Sequence, residues 1–289
     1  MNDKYKTENI MEKIYKFAHS LSLSTKYLPK PYDWFHFIWF VLLLGGVALV
    51  FFFSLKDDKK TLYISYIVSA SIMWVGELVK QFLSTYDSSP VGVYRWYDFP
   101  FQFCSTPLYT FLLAAILKKG KIYDYLSAYN STYCLFAGLI VMLTPSTVFS
   151  HSMTINFQSM IHHILMITTA VAGLRVYAKK FDLSLYRGAF IVFMINIVIA
   201  EILNFAIPPL TGQEVNMFFI GPQRSSLIVF CDIYDKFGWV VQAISYVVLL
   251  SIGGFIVFLP FVLTWRAKQR KKVPAASVPD MELNLAAQK

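Results

Sequence analysis

Charged residues are scarce in this sequence: they make up 15% of its 289 residues, whereas soluble domains carry about a quarter. Hydrophobic residues account for 56%. A chain so poor in charge lacks the polar surface that a soluble domain needs, and it is too apolar to be disordered. The composition therefore predicts a protein whose apolar surface faces membrane lipid.

Cysteines are few and the common catalytic motifs are missing. The three cysteines, Cys104, Cys134 and Cys231, have neither the number that a disulfide-stapled secreted scaffold needs nor the spacing of a metal site. The sequence contains no dinucleotide-binding glycine motif, P-loop, zinc-protease motif or serine nucleophile elbow. We therefore expect no metal and no cofactor.

Apolar runs long enough to approach or reach membrane-spanning length occur seven times. A bilayer core about 30 Å thick needs roughly 20 apolar residues per helix. The fourth run has the weakest signal, because Asp124 and Asn130 dilute its first half. The predicted fold class is all-α, a seven-transmembrane-helix bundle over residues 35–264. Its runs are residues 35–55, 62–83, 101–117, 123–143, 152–177, 186–206 and 239–264.

Basic residues are distributed unevenly over the loops. Lys and Arg concentrate after the first, third and fifth runs and in the C-terminal tail, a distribution typical of the cytoplasmic side. This predicts an outer N-terminus and an inner C-terminus, although the N-terminal tail is itself basic. The net charge of +9 then indicates topology and attraction to anionic headgroups, not nucleic-acid binding. Because Cys104 and Cys231 share the outer side, a disulfide between them stays open.

The two tails have different patterns. In residues 1–34, apolar side chains recur at helical spacing with Lys13 and Lys16 between them, which predicts an amphipathic helix lying in the membrane interface. Residues 265–289 are basic and then rich in proline and alanine, which predicts a disordered cytoplasmic tail. The first apolar run is of spanning length, so we expect no cleavable signal peptide.

Polar groups inside the predicted spans gather at one depth. On the predicted topology they fall in the outer halves, and the inner halves are nearly bare of them. Because such groups are costly in lipid, they usually face a bundle interior or a water-filled cavity. The pattern predicts an outward-facing polar pocket, with simple interhelical pairing as the alternative. The set comprises Glu77, Lys80, Gln102, Cys104, Asn156, Gln158, His162, His163, Asn196, Glu201, Asn204 and Gln242.

Cys104 is the cysteine whose surroundings fit a nucleophile. It lies near the N-terminal end of the third predicted helix and at the depth of the two histidines. A Cys–His nucleophilic pair from the third and fifth spans is geometrically reasonable. The adjacent His162 and His163 lie about 100° apart around a helix, so their spacing does not decide which would face the cysteine.

Three segments of the sequence resemble the YwaF family of bacterial integral membrane proteins. Residues 99–109, FPFQFCSTPLY, resemble the cysteine-containing signature of that family. The helix with the adjacent histidines resembles the family's histidine-bearing helix. Asn204 and the loop that begins at Asn216 resemble a third marker, although Met217 stands where tyrosine is usual.

The YwaF family is similar to a eukaryotic membrane acyltransferase that moves polyunsaturated acyl chains between phospholipids. It is more distantly similar to the androgen-induced fatty-acid ester hydrolases. The resemblance implies that Cys104 is the acyl-accepting nucleophile and that His162 or His163 is the base. It also implies that membrane phospholipids or acyl lipids are the partners and that a bacterial cytoplasmic membrane is the location.

The first of two functional hypotheses is an enzyme, a lipid acyltransferase or lipid ester hydrolase. In this hypothesis Gln102, Asn204 or Gln158 stabilises the oxyanion that forms on the attacked ester. The apolar loop of residues 207–238 is then either a lid over the pocket or a segment that packs at the membrane interface.

The second hypothesis is a transporter or binding protein for a polar or zwitterionic ligand held in the same pocket. Glu77, Lys80 and Glu201 would bind the ligand or couple its transport to protons. The sequence has no inverted repeat and no span that is clearly broken at mid-depth, and both are features of many secondary transporters. These absences favour the enzyme hypothesis.

Overall fold

The computed structural model describes residues 2–52, 58–87, 91–177 and 182–272. Within these ranges the chain forms eight α-helices and no named strand. The helices are α1 (Asn2–Ser22), α2 (Trp34–Phe52), α3 (Asp58–Tyr86), α4 (Thr106–Leu117), α5 (Lys121–Leu143), α6 (Met153–Tyr177), α7 (Leu183–Thr211) and α8 (Phe230–Lys272).

Six helices, α2, α3, α5, α6, α7 and α8, are long and apolar enough to cross a membrane. They coincide with six of the seven predicted runs, so the prediction of an all-helical, multi-pass membrane protein is confirmed. The remaining run, residues 101–117, forms a 3-10 turn and then the 12-residue helix α4. Twelve helical residues extend about 18 Å, which is less than the thickness of a bilayer core. Seven spanning helices therefore remain a prediction.

Local sequence explains why α4 is short. Pro107 lies in its first turn, where a missing N–H costs nothing, and the residues before it form the 3-10 turn Phe103–Ser105. At the other end Lys118 adopts a left-handed φ of +59° and stops the helix. Gly120, with a φ of +100°, then starts α5 in a conformation that favours glycine.

Helix α4 runs antiparallel to α3 along its first half. The indole of Trp74, in the middle of α3, donates to the carbonyl oxygen of Leu108 near the start of α4 at 2.9 Å. Lys118, just after α4, lies 5.5 Å above the ring of Tyr63 near the start of α3. The non-helical segment before α4 contacts the other half of α3, where Gln81 donates to the carbonyl oxygen of Asp98 at 2.7 Å.

Helix α5 is the centre of the bundle, although its sequence gives the weakest span. It packs against α4, α6, α7 and α8, and 72% of its most apolar stretch is buried. A helix surrounded by other helices needs no lipid-facing stripe and tolerates polar groups that find partners. On the predicted topology, α5 departs from the expectation that the inner halves are nearly bare of polar groups. The first half of α5 buries Ser127, Asn130, Ser131 and Thr132.

The two tails are described in part. Helix α1 forms where helical spacing predicts it and packs at the end of the bundle that holds the start of α6. There Ser152 donates to the carbonyl oxygen of Ser22 at 2.8 Å, and His19 contacts Asp87 at 2.8 Å. The position of α1 in a membrane interface stays a prediction. Helix α8 continues to Lys272, beyond the predicted boundary at residue 264, and the rest of the predicted disordered tail, residues 273–289, lies outside the described residues.

Candidate functional site

Cys104 lies in the middle of the 3-10 turn that leads into α4. The backbone N–H of Ser105 donates to the carbonyl oxygen of Gln102 at 2.8 Å and closes the turn. Phe103 is buried, whereas Cys104 is half-buried. The turn therefore anchors an aromatic residue in the core and leaves the neighbouring thiol only partly covered.

His162 of α6 contacts the residue that carries this thiol. Its Nε2 lies 2.8 Å from the carbonyl oxygen of Cys104, and the imidazole is 5% exposed. Because a carbonyl oxygen only accepts, Nε2 carries the proton in this arrangement and Nδ1 has the lone pair. The histidine is thus held beside Cys104 through the backbone.

His163 has a different environment. Its Nδ1 donates to the carbonyl oxygen of Ser159, one turn earlier in α6, at 2.7 Å. Its Nε2 is buried and has no hydrogen-bond partner among the residues that the structure describes. The two imidazole rings lie 5.5 Å apart. Only His162 therefore has a hydrogen bond to Cys104.

An ion pair on α3 lies near the cysteine and the histidine. Lys80 Nζ lies 3.1 Å from the carboxylate of Glu77, which is 2% exposed and also accepts from Gln81 at 2.6 Å. Lys80 is also close enough to act electrostatically on Cys104 and His162. Glu77 and Lys80 largely neutralise each other, as simple interhelical or intrahelical pairing predicts.

Sequence reasoning missed Gln81. Besides Glu77, its side chain contacts the carbonyl oxygen of Asp98 and accepts from the hydroxyl of Tyr94 at 2.7 Å. It therefore ties the non-helical segment before Cys104 to α3. Its spacing of four residues after Glu77 is the signal that places both side chains on one helical face.

A second group of predicted residues holds the loop between α7 and α8. Asn204 Nδ2 donates to the carbonyl oxygen of Met217 at 3.1 Å, and its Oδ1 accepts from the N–H of Met217 at 2.6 Å. Gln242 of α8 donates to the carbonyl oxygen of Phe219 at 2.8 Å. Two helices thus bind the backbone of the 3-10 turn Met217–Phe219.

Asn216 connects this loop to the segment that carries Cys104. Its carbonyl oxygen accepts from Gln102 Nε2 at 3.0 Å. Its own side chain donates to the carbonyl oxygen of Gln223 at 3.1 Å and accepts from the N–H of Gly221 at 2.8 Å. Gln102 and Asn204 therefore both direct their amide groups to the loop backbone.

Phe218 inserts from this loop into the bundle. It is completely buried, and its ring lies 5.9 Å from that of Phe101 and 5.5 Å from that of Phe103. Phe218 and Phe219 both have a φ of +57°, a left-handed conformation that is costly for residues with side chains. The middle of the loop of residues 207–238 is thus buried against the Cys104 segment, and does not simply lie along the interface.

Three predicted site residues have other neighbours. Asn196 donates to the carbonyl oxygen of Val192 in its own helix. Gln158 packs against α3, where a Cβ added to Gly76 would lie 3.0 Å from Gln158 Cγ. Glu201 lies beside Asn204, and one of its carboxylate oxygens is buried without a hydrogen-bond partner in the described part of the chain.

A buried polar network between α4 and α5 is another feature that sequence reasoning did not find. Thr110 donates to Asn130 Oδ1 at 2.6 Å, and Thr106 shares a hydrogen bond of 2.7 Å with the hydroxyl of Tyr129. Cys134 packs within this network, 3.7 Å from Asn130 Oδ1. Cys134 is buried and is followed in sequence by Leu135 and Phe136, which indicates a packing role for this cysteine.

The cysteines and the acidic and imidazole groups do not form further sites. None of the three cysteines is disulfide-bonded, so the open Cys104–Cys231 pairing is not present. Among the described residues, no three His, Cys, Asp or Glu side chains are grouped to hold a metal ion.

The family model of the TMEM164 family matches residues 27–259, which contain every residue of this site. The chain belongs to the TMEM164 family. This is a family of membrane proteins, so the resemblance is confirmed at that coarser level. The YwaF name and the relationship to an acyltransferase remain predictions for this TMEM164-family chain. Neither the curated proteins nor the solved structures contain a match to the chain.

Proposed function

We propose that this TMEM164-family chain is a membrane-embedded lipid acyltransferase or lipid ester hydrolase. Cys104 is its nucleophile and His162 its general base. The observation that carries the proposal is the 2.8 Å hydrogen bond that holds the His162 imidazole beside the half-buried Cys104. A cysteine needs a nearby base or cation to react as a thiolate, and His162 is the base in this proposal.

The first half of the proposed reaction forms a thioester. His162 Nδ1 takes the thiol proton, and the Cys104 sulfur attacks the carbonyl carbon of a lipid ester. The imidazolium then returns the proton to the leaving alcohol oxygen as the ester C–O bond breaks. The products of this half are an acylated Cys104 and a lysolipid.

The second half releases the acyl group. The hydroxyl of a second lipid, or water, attacks the thioester carbonyl carbon while His162 takes its proton. The C–S bond then breaks, the sulfur regains the proton as a thiol, and an acylated lipid or a free fatty acid leaves. A lipid acceptor makes the protein a transferase, and water makes it a hydrolase. Lys80 stabilises the negative charge that develops during both attacks. Gln102 and Asn204, which bind the loop backbone, are positioning residues in this scheme.

We further propose that the chain crosses the membrane seven times, with its N-terminus outside and its C-terminus inside. The segment of residues 94–105 and α4 together lie beside both halves of α3, which supports a crossing by a short helix and a non-helical entry. The lysines at the end of α4 then join the basic side. On this topology the Cys104 site lies in the outer half of the cell membrane.

The proposal predicts a covalent adduct on one cysteine. Membrane vesicles containing the full-length chain are treated with an electrophilic thiol probe, and separately with isotope-labelled phospholipid followed by peptide mass spectrometry. We expect probe labelling and a hydroxylamine-sensitive acyl group on Cys104, both lost in Cys104→Ala. Cys134→Ala and Cys231→Ala are matched controls that should retain them.

Two results would overturn the proposed function. The first is acyl transfer or hydrolysis that continues at the wild-type rate in Cys104→Ala. The second is uptake of a zwitterionic solute that survives Cys104→Ala and fails in Glu201→Gln, because that pattern is expected for the transporter.

A further inference from the structure

A basic cleft lies at the end of the bundle opposite Cys104. It has a volume of about 480 Å³ and opens between the starts of α3 and α5 and the ends of α4 and α6. Lys59, at its edge, is separated from Lys80 by about 30 Å along α3. The cleft is therefore distinct from the site described above. Its polar lining includes Lys59, Tyr63, Lys118, Lys119, Tyr123 and Asp124.

Positive charge is in excess in this cleft. Three lysines line it, and Asp124 is the acidic residue in its lining. The carboxylate of Asp124 already accepts a hydrogen bond of 2.8 Å from the hydroxyl of Tyr177. The ammonium group of Lys118 is held 5.5 Å above the ring of Tyr63, at the rim. The excess of lysines favours the binding of an anion. The carboxylate of Asp124 is already hydrogen-bonded to the neutral hydroxyl of Tyr177.

The backbone at the start of α5 also favours the binding of an anion in the cleft. Helix α5 begins directly after Gly120, and no side chain caps its first N–H groups. A Cβ added to Gly120 would meet nothing within 4 Å, so the backbone there is open. The N-terminal end of a helix carries a partial positive charge and exposed donors, both of which bind phosphate.

A buried hydroxyl lies behind the cleft. Ser127 is completely buried next to Tyr123 and Tyr177, two residues that line the cleft. Buried polar groups are normally satisfied by protein, water or ligand. The hydroxyls of the two tyrosines that line the cleft are polar neighbours of this group.

Exposed apolar side chains adjoin the lysines. Ile116 at the end of α4 is 63% exposed, and Ile122 at the start of α5 is 65% exposed. Lysines beside an exposed apolar surface are suited to bind a molecule that has an anionic headgroup and apolar chains. Basic pockets between transmembrane helices bind such headgroups. A soluble phosphate would use only the charged part of this surface.

We infer that this cleft binds the phosphate group of an anionic glycerophospholipid, whose acyl chains lie along the exposed surface of α4 and α5. The inference stands apart from the proposed chemistry at Cys104. A free phosphate ion shares the headgroup chemistry, and the experiment therefore compares the two sources.

The test measures lipid binding to the full-length protein in detergent micelles by native mass spectrometry, with phosphatidylglycerol and phosphatidylcholine as probes. We expect preferential binding of phosphatidylglycerol, weakened about fivefold in Lys118→Gln and in Lys119→Gln. Lys121→Gln is the matched control, because it removes the same charge from a lysine that lies over Tyr125 and does not line the cleft. Lys118→Arg should restore binding.

Three outcomes would overturn the inference. One is equal binding of the two lipids, and another is an equal loss in Lys121→Gln, which would indicate general surface charge. The third is displacement of phosphatidylglycerol by millimolar inorganic phosphate, which would identify a soluble anion as the ligand. A thermal unfolding midpoint unchanged from the wild type shows that Lys118→Gln and Lys119→Gln remain folded.

Discussion

His162 holds the backbone of Cys104: its Nε2 donates to the Cys104 carbonyl oxygen across 2.8 Å and joins α6 to the turn before α4. This bond places the proton on Nε2 and leaves the lone pair on the opposite nitrogen, Nδ1. The neighbouring His163 is bound to its own helix instead. The two adjacent histidines therefore differ in what each can do.

Replacement of the histidines should separate these roles. We expect His162→Gln to slow acyl-thioester formation on Cys104 by a factor of roughly 10² to 10⁴, because glutamine removes the base. His163→Gln should retain most of the rate. Time-resolved mass spectrometry of the Cys104 peptide measures both. A loss confined to His163→Gln would show that the assignment is reversed.

Asn204 should stabilise the buried loop far more than Asn196 stabilises α7. Asn204→Ala leaves the N–H of Met217 buried without its partner and removes one of two donors to the Met217 carbonyl oxygen, at a cost of about 1–3 kcal/mol. Asn196→Ala removes only a bond within α7 and should cost less than about 1 kcal/mol. Thermal unfolding and protease sensitivity of the loop report the difference. Equal effects would argue against Asn204 as the anchor of the loop.

The close approach of α7 to α5 makes Gly188 sensitive to substitution. A Cβ at Gly188 would lie 2.0 Å from Tyr125 Cδ1 and 2.4 Å from its Cγ. Gly188→Ala should therefore lower the free energy of unfolding by about 1–3 kcal/mol. Gly45→Ala is the control, because a Cβ there meets nothing within 4 Å and alanine favours the helix. Denaturant titration in micelles measures the free energy of unfolding of both variants. Equal values would contradict the close packing of Gly188 against Tyr125.

The start of α2 should lose stability in acid. Burial by itself raises the pKa of Asp33, but hydrogen bonds from Tyr27 and from the backbone N–H groups of Lys30 and His36 outweigh it and hold the pKa below its ordinary value. The stabilisation is therefore present above the ordinary pKa of about 3.8 and is lost as the pH falls through the lowered value.

Unfolding measured between pH 7 and pH 3 checks this dependence. Asp33→Asn removes the titrating group and should flatten the acid side of the curve. Tyr27→Phe removes one donor and should move the loss of stability to higher pH. An acid transition that is identical in Asp33→Asn and the wild type would assign it to other groups.

Much of the fold follows from apolar lengths alone. The bilayer fixes how many apolar residues a helix needs, and the ends of α2, α3 and α6 lie within a few residues of their predicted runs. For residues 101–117 the α-helix begins later than the run, because the 3-10 turn Phe103–Ser105 precedes it, and it ends at residue 117 as predicted. The apolar-length signal also undervalues α5, where Tyr129 and Asn130 bond to threonines of α4, a pairing that no local pattern reveals.

For the site, the sequence by itself determined the membrane environment. It also singled out Cys104, the histidine pair and Asn204, because they lie at the same depth in the predicted spans as other polar residues. Only the tertiary structure decided that His162 contacts Cys104, that Gln81 ties the segment before Cys104 to α3, and that Asn204 holds the loop. A helical period shows which side chains share a face. A hydrogen bond between residues 58 positions apart, as between Cys104 and His162, depends on how the helices pack against one another.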